Sequence, residues 1–380
     1  MSSRPGDATL ARACRECLRR SWLLGELGAV LDCNCRADGR LLDLLELDDR
    51  SLIAALAGRR RAELTATYAA FEPDTLACPD GIARLCRHEP EYPTQLRQSG
   101  LTSMLHVAGG ASPDARLDSL CAKPIVAFVG QGAASDYGIA VASSLARCLA
   151  ASGVTVAGAL SGAIGPAALT ATSEIGAGAI AVVGGGIDVG VPARRRSLQR
   201  RLLRVGCVVS ELPPATPRRR WCAVACERAL ASLSCVALLV EADDSASGLS
   251  GANVARRHGR VVAAVPGRVS SRGSRGAHAL LRDGAALVTC AADVLELIYD
   301  AEGREWTAHA QASAHAALEP RLLQMLEHIG DGCDTPSRLL SKCAGAGEPM
   351  RSLGELELLG LLKRGDGGRY LLANPLAAPA

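Results

Sequence analysis

Between Pro124 and Leu295, short apolar runs alternate with small-residue helical stretches, and almost every run ends in glycine. Ile125 to Val129 leads into Gly130-Gln131-Gly132, and Val154 to Ala157 leads into Gly158 and Gly162. Ala179 to Val183 leads into Gly184-Gly185-Gly186-Ile187-Asp188, Val236 to Val240 into Glu241, and Val261 to Val265 into Pro266-Gly267. Continuous apolar runs of this length are what strands buried on both faces look like. Helix-length spacers between them imply right-handed βαβ crossovers and a parallel sheet, an α/β fold. In such a sheet the glycine loops open at the carboxyl ends of the strands, where ligands bind. Glycines let backbone N–H groups approach an anion, so a phosphate-bearing ligand is expected there.

The chain has 380 residues, which predicts two or three domains, and 48% hydrophobic residues supply an ample core. Only three lysines occur, so positive charge is carried almost wholly by arginine. The net charge is only +3, which excludes a polycation. The arginines are nonetheless concentrated. One window holds Arg194, Arg195, Arg196, Arg200, Arg201, Arg204, Arg218, Arg219 and Arg220. A second holds Arg256, Arg257, Arg260, Arg268, Arg272, Arg275 and Arg282. Acidic residues are sparse in both, which favours a polyanion partner over an ordinary solvated face. No run is long and apolar enough for a membrane span, and the start lacks the apolar stretch of a secretory leader. Fifteen cysteines in such a chain predict reduced thiols in a cytoplasm.

The chain divides into three regions. Residues 10–115 read as helical, with Asp48-Asp49 as a start signal inside the periodic stretch Leu42 to Leu56, and a strand near Met104 to Val107. Residues 116–300 form the α/β domain, and the polar, Ala-rich stretch 301–316 reads as a linker. Residues 317–375 read as helix, helix and hairpin, with Gly365-Asp366-Gly367-Gly368 as the turn, which is the winged-helix arrangement.

The motifs are selective in what they allow. Gly130-Gln131-Gly132 is an incomplete dinucleotide fingerprint, and the next strand ends in Gly158-Ala159-Leu160-Ser161 without a carboxylate for a ribose, so no NAD or other cofactor is expected. Gly184 to Gly186 can serve either close backbone approach to a ligand or a structural turn, with Asp188 capping the next turn or helix. Ser274, Arg275, the Gly276 amide and His278 could hold a phosphate at a helix start, although a lone histidine is more often a hydrogen-bonded structural residue. Cys14-x-x-Cys17 and Cys33-x-Cys35 are close enough in sequence for a four-thiolate zinc site. Arg15, Arg19, Trp22, Leu23 and Leu24 around the first pair instead suggest an amphipathic helix, and no metal is expected. Tyr137 and Trp221 are the only aromatic candidates for base stacking near the strand ends. Neither a nucleophile–base pair nor paired carboxylates nor a P-loop appears, so a non-enzymatic protein is expected.

These residues in this order resemble the DNA-processing protein A family, DprA or Smf, from about Leu42 to Leu372. The stretches that carry the resemblance include Tyr92-Pro93, Val126 to Gly138, Gly184 to Pro192, Ser210 to Pro214, Val240-Glu241-Ala242, Val265-Pro266-Gly267 and Ser274-x-Gly276 to Gly284-Ala285. The resemblance implies an extended Rossmann domain with an N-terminal SAM-like helical domain and a C-terminal winged helix. It also implies a homodimer that binds single-stranded DNA and loads a RecA-type recombinase during natural transformation and recombination. Arg228 stands at the end of a stretch that is Arg-Asn-Arg in the family and Cys226-Glu227-Arg228 here, so the resemblance gives it a DNA contact. Where the family carries Gly-Ser-Arg, this chain has Gly130-Gln131-Gly132, and His278 replaces an asparagine. The arginines at 194–196 and 218–220 are expected to compensate. The alternative reading is a nucleotide or nucleoside-phosphate hydrolase on a related Rossmann fold. The Pro-Gly-Gly-x-Gly-Thr-x-x-Glu signature of such hydrolases is missing from this sequence. A third reading is a degenerate scaffold that binds only protein.

Overall fold

A computed structural model describes residues 13–34, 40–73, 76, 78–100, 102–130, 132–301, 320–330, 332–342, 349–358, 362–365 and 368–372. Its centre is a nine-stranded sheet in the order β1-β2-β6-β5-β4-β3-β7-β8-β9. The parallel part comprises β3 (Ile125–Val129), β4 (Thr155–Ala159), β5 (Ala179–Val182), β6 (Cys207–Ser210), β7 (Val236–Leu239), β8 (Val261–Ala264) and β9 (Ala286–Leu287). β3 to β6 build outward on one side and β7 to β9 on the other, so the order reverses between β3 and β7, the switch point where such sheets open a crevice. All five apolar runs singled out in the sequence are strands in this sheet.

Residues 82–108, expected within the N-terminal helical region, add β1 (Ile82–Cys86) and β2 (Met104–Ala108) to the same sheet. β1 pairs antiparallel with β2, and β2 antiparallel with β6. Five residues interrupted by Arg84 carry too little periodicity to mark β1 as a strand. Tertiary pairing through β2 decides it.

Residues alternate between the two faces of the sheet. Ile125, Ala127 and Val129 face a core built with α11 (Cys222–Leu233) and α12 (Ala246–Arg257). Val126 and Phe128 face a second core with α8 (Asp136–Ala151), α9 (Ile164–Glu174) and α14 (Ala291–Ala301). In α8, Val141, Leu145 and Leu149 recur at helical spacing on the buried side, and Ser135 accepts the Gly138 amide as N-cap. The first core also takes in α6 (Thr94–Ser99), α7 (Pro113–Cys121) and α13 (Arg275–Arg282), and α10 (Arg196–Val205) packs Leu198 and Leu202 with Ala179, Ala181 and Val208 of β5 and β6.

The N-terminal helices are α1 (Arg15–Glu26), α2 (Gly28–Asn34), α3 (Arg40–Glu46), α4 (Asp49–Leu56) and α5 (Arg61–Ala69). Asp48 caps α4 by accepting the Arg50 and Ser51 amides. These helices pack their leucines against Leu212, Trp221 and Ala225. Trp221 is therefore fully buried and offers no face for a base, a correction to the expectation that it stacks.

At the C-terminus, α15 (Pro320–Gly330), α16 (Pro336–Lys342), α17 (Pro349–Leu358) and the hairpin β10 (Leu362–Arg364) with β11 (Tyr370–Leu372) share a small core of Leu326, Leu339, Leu353, Leu356 and Tyr370. Apart from Ala301, the expected linker lies outside the described residues. Among the described residues no helix is long and apolar enough to cross a membrane.

Candidate nucleic-acid interface

A cleft of ≈ 1160 Å³ opens along the carboxyl edge of the sheet. Its wall takes Ser161 from the loop after β4, Gly184 from the loop after β5, Arg218, Arg219 and Arg220 from the loop after β6, and Ser247 and Ser250 from the region of α12. The three arginines are exposed. The glycines after β5 hold them in place, because Gly184 packs against the Cys222 backbone and Gly185 and Gly186 against the 213–218 backbone, leaving no room for a Cβ. The Gly186 amide donates to the Thr216 carbonyl at 2.8 Å, and Ser210 Oγ donates to the Gly185 carbonyl at 2.6 Å. Asp188 accepts the Ala215 amide at 2.9 Å, so it caps this loop rather than the helix that comes after it in sequence. Gly184 to Gly186 thus act on the ligand side only through the arginine loop they position. Beneath that loop, Asp32 accepts the Arg220 amide at 2.6 Å, at the start of α11.

The loops after β3 and β4 also meet. A Cβ on Gly162 would lie 3.5 Å from the Gly132 carbonyl oxygen. Arg195 donates to the Gly162 carbonyl at 3.0 Å, which leaves Arg194 as the more exposed of that pair. Gly158 lies inside, against Gly165 at the start of α9. Gln131 lies outside the described residues.

Several expected phosphate contacts are corrected by packing. The start of α8, to which Gly130 and Gly132 lead, is already taken by the Glu241 carboxylate. It accepts the Ser135 amide at 2.8 Å and the Ser135 hydroxyl at 3.0 Å, enclosed by Gly138 and Gly273, while Gly130 packs against the Glu241 backbone. A buried carboxylate at a helix N-terminus sits where an anionic ligand would otherwise bind. The sequence signal was an acid directly after the buried run Val236 to Val240, on the strand beside the switch point. On the far side, the Gly276 amide donates to the Ala242 carbonyl at 3.0 Å, Ser274 is buried against Gly267, and His278 Nε2 lies 3.0 Å from the Gly267 carbonyl. These residues fold the 266–276 loop back onto the sheet, while Arg275 stays exposed. Tyr137 is 51% exposed and donates its hydroxyl to the Pro266 carbonyl at 3.2 Å.

Arg228 is the largest correction. It is 4% exposed on α11 and faces Glu211 at 3.7 Å, a residue equally buried. Burial pushes the Glu211 carboxyl above its usual range, and Arg228 and Arg20 pull the other way. A side chain so enclosed does not reach a DNA backbone. Helix periodicity turned it inward, together with Ala225, Ala229 and Ser232 on the same helix.

The cysteine expectation is corrected as well. α1 is 12 residues long, about 18 Å at 1.5 Å per residue, and Cys33 lies beyond its far end on α2. Cys33 is exposed, and Cys35 lies outside the described residues. Cys14 and Cys17, at the start of α1, gather instead with Cys86 and His88.

A mostly parallel α/β sheet whose order reverses between β3 and β7 defines a Rossmann-like fold, here with three exposed arginines on the cleft at its carboxyl edge. The model of the family DNA recombination-mediator protein A matches residues 83–299, and the chain belongs to that family. It is similar to the putative DNA processing protein DprA of Mycobacterium tuberculosis, 39% identical over 184 residues, 48% of this chain and 47% of that relative. The chain thus spans about half the length of that relative. It is also similar to the protein Smf of Escherichia coli strain K12, 32% identical over 251 residues, 64% of this chain and 66% of that relative. The fold is similar to that of DNA processing protein A from Streptococcus pneumoniae, with a TM-score of 0.58, 24% identity, and 77% and 97% of the two chains covered.

Proposed function

We propose that this protein is a non-enzymatic mediator of recombination that holds single-stranded DNA along the carboxyl edge of the sheet. The observation that carries the reading is the exposed triplet Arg218-Arg219-Arg220 above the cleft, on a loop pinned by glycine packing and Asp188. Arginines arranged in this way hold backbone phosphates with little regard to base. With Trp221 buried, Tyr137 is left as the single stacking candidate of the two, and binding rests mainly on charge. Membership of the family supports action as a homodimer that hands DNA to a RecA-type recombinase in the cytoplasm.

The test is a binding isotherm on single- and double-stranded oligonucleotides across a salt series. If about four to six phosphates are neutralised, log affinity falls with log salt at a slope of roughly −3 to −4. The variant Arg218→Ala/Arg219→Ala/Arg220→Ala should bind roughly tenfold more weakly or worse, with a slope shallower by about 2. An unchanged slope in the variant, or a preference for duplex in the parent protein, overturns the reading.

We further propose that α15 to α17 and the hairpin form a winged helix that does not read DNA. Four of its five arginines are engaged internally, Arg321 and Arg351 with Glu355, Arg364 with Glu357, and Arg369 with Asp334, which leaves the exposed Arg338 as its one arginine outside these pairs. Deleting residues 317–380 should leave single-strand affinity within about threefold, or roughly 0.7 kcal/mol. A tenfold loss in a folded deletion protein would show that the module touches DNA.

A further inference from the structure

The group of Cys14, Cys17, Cys86 and His88 lies away from the cleft, where the N-terminal helices meet the edge of the sheet. Cys14 is the N-cap of α1, with extended backbone and no side-chain capping bond of its own, and Cys17 lies in the first turn. Cys86 is the last residue of the edge strand β1, and His88 comes two residues later in the turn. Two short motifs, Cys-x-x-Cys and Cys-x-His, are brought together although Cys14 and Cys86 are 72 positions apart. The sequence offered Cys33 and Cys35 as partners because they are near in the chain, whereas strand pairing brings Cys86 up instead.

The arrangement has the form of a tetrahedral metal site. His88 Nδ1 lies 3.2 Å from Cys14 Sγ and 3.5 Å from Cys17 Sγ. All four donor atoms lie within 4.8 Å of one another. Bond lengths of about 2.3 Å to sulfur and 2.0–2.1 Å to nitrogen place the ligand atoms of a tetrahedral three-sulfur, one-nitrogen zinc site roughly 3.5–3.8 Å apart. Cys86 Sγ accepts the Cys14 amide at 3.4 Å, the N–H to sulfur bond that a metal-bound thiolate attracts. None of the three thiols is in a disulfide. Cysteines packed only as small apolar residues would not draw the ring nitrogen of an exposed histidine to two sulfurs at once. Three thiolates and one imidazole leave no open position, which is the donor set of a structural zinc ion rather than a catalytic one.

We propose that Cys14, Cys17, Cys86 and His88 bind one structural zinc ion that clips helix α1 to the end of strand β1. Three thiolates and a divalent cation give the site a net charge of −1, and the N-terminus of α1 faces it with positive partial charge. The ion ties the N-terminal helices to the sheet across the long chain segment between the two motifs.

Metal analysis of the full-length protein, purified under reducing conditions without chelator, should find one zinc per chain. Cobalt exchanged into the site should give the thiolate charge-transfer and intense tetrahedral d–d bands of a three-sulfur, one-nitrogen site. His88 is exposed, so His88→Ala should remain folded yet hold zinc at least roughly 100-fold more weakly in competition with a chromophoric chelator. Cys33→Ser should keep full stoichiometry and affinity. The inference is overturned if the parent protein, offered zinc under reducing conditions, binds none. It is equally overturned if His88→Ala binds as tightly as the parent, or if Cys33→Ser loses the ion.

Discussion

Arg228→Ala should destabilise the protein by about 3–5 kcal/mol, the range for leaving one partner of a buried ion pair without the other. Glu211 would remain 5% exposed with its nearest charge partner in the core removed. The loss should depend on pH. Burial already raises the Glu211 carboxyl in the folded state, so ionising it works against folding, and stability falls as pH rises through its folded value. Without Arg228 that value rises further, so the deficit relative to the parent is smallest in acid and grows toward neutral pH. Urea titrations of parent and variant at several pH values measure this directly. The double variant Arg228→Met/Glu211→Gln, which removes both charges at similar volume, should recover most of the loss. A variant as stable as the parent at neutral pH, with weakened single-strand binding, would show instead that Arg228 reaches DNA.

The second large effect is acid destabilisation through His106. This side chain is 1% exposed in β2, opposite Arg84 in the register with β1 and opposite Ser210 in the register with β6. Burial, reinforced by the Arg84 charge, lowers its pKa from 6.5 to about 3, against smaller opposing contributions from the Ser210 backbone and Asp188. A depressed value means that the unfolded chain takes up a proton before the folded one. Stability is therefore full above pH 6.5 and is lost as pH falls from there toward 3. Each pH unit in that window removes up to about 1.4 kcal/mol, for a total of roughly 4–5 kcal/mol. His106→Gln should flatten the difference curve across this window while leaving the acid response of the carboxylates in place. If parent and variant lose stability in parallel between pH 6.5 and 3, His106 is not the group responsible.

The parallel sheet was legible because a strand buried on both faces must be apolar throughout. Ile125 to Val129 and Val236 to Leu239 can be little else, and each is fully buried. The arginine excess between residues 194 and 220 was legible too, whereas strand β6, which carries Arg218 to Arg220 to the carboxyl edge, was not among the runs read from the sequence. Strand β1 was not legible. Its five residues become a strand only through pairing with β2, which local pattern does not encode.

Site chemistry divided along the same line. The sequence by itself determined which residue types were available: glycines at strand ends, clustered arginines, a Cys-x-x-Cys pair and an acid after Val240. The tertiary structure decided their use. Glu241 fills the helix start at the switch point, Arg228 turns into the core beside Glu211, and Cys14 and Cys17 meet Cys86 and His88 rather than Cys33. The physical reason is that a side chain's role depends on burial and on which donors and charges lie within a few ångströms. Those neighbours come from strand pairing and helix docking between residues far apart in the chain, and local sequence spacing carries no record of them.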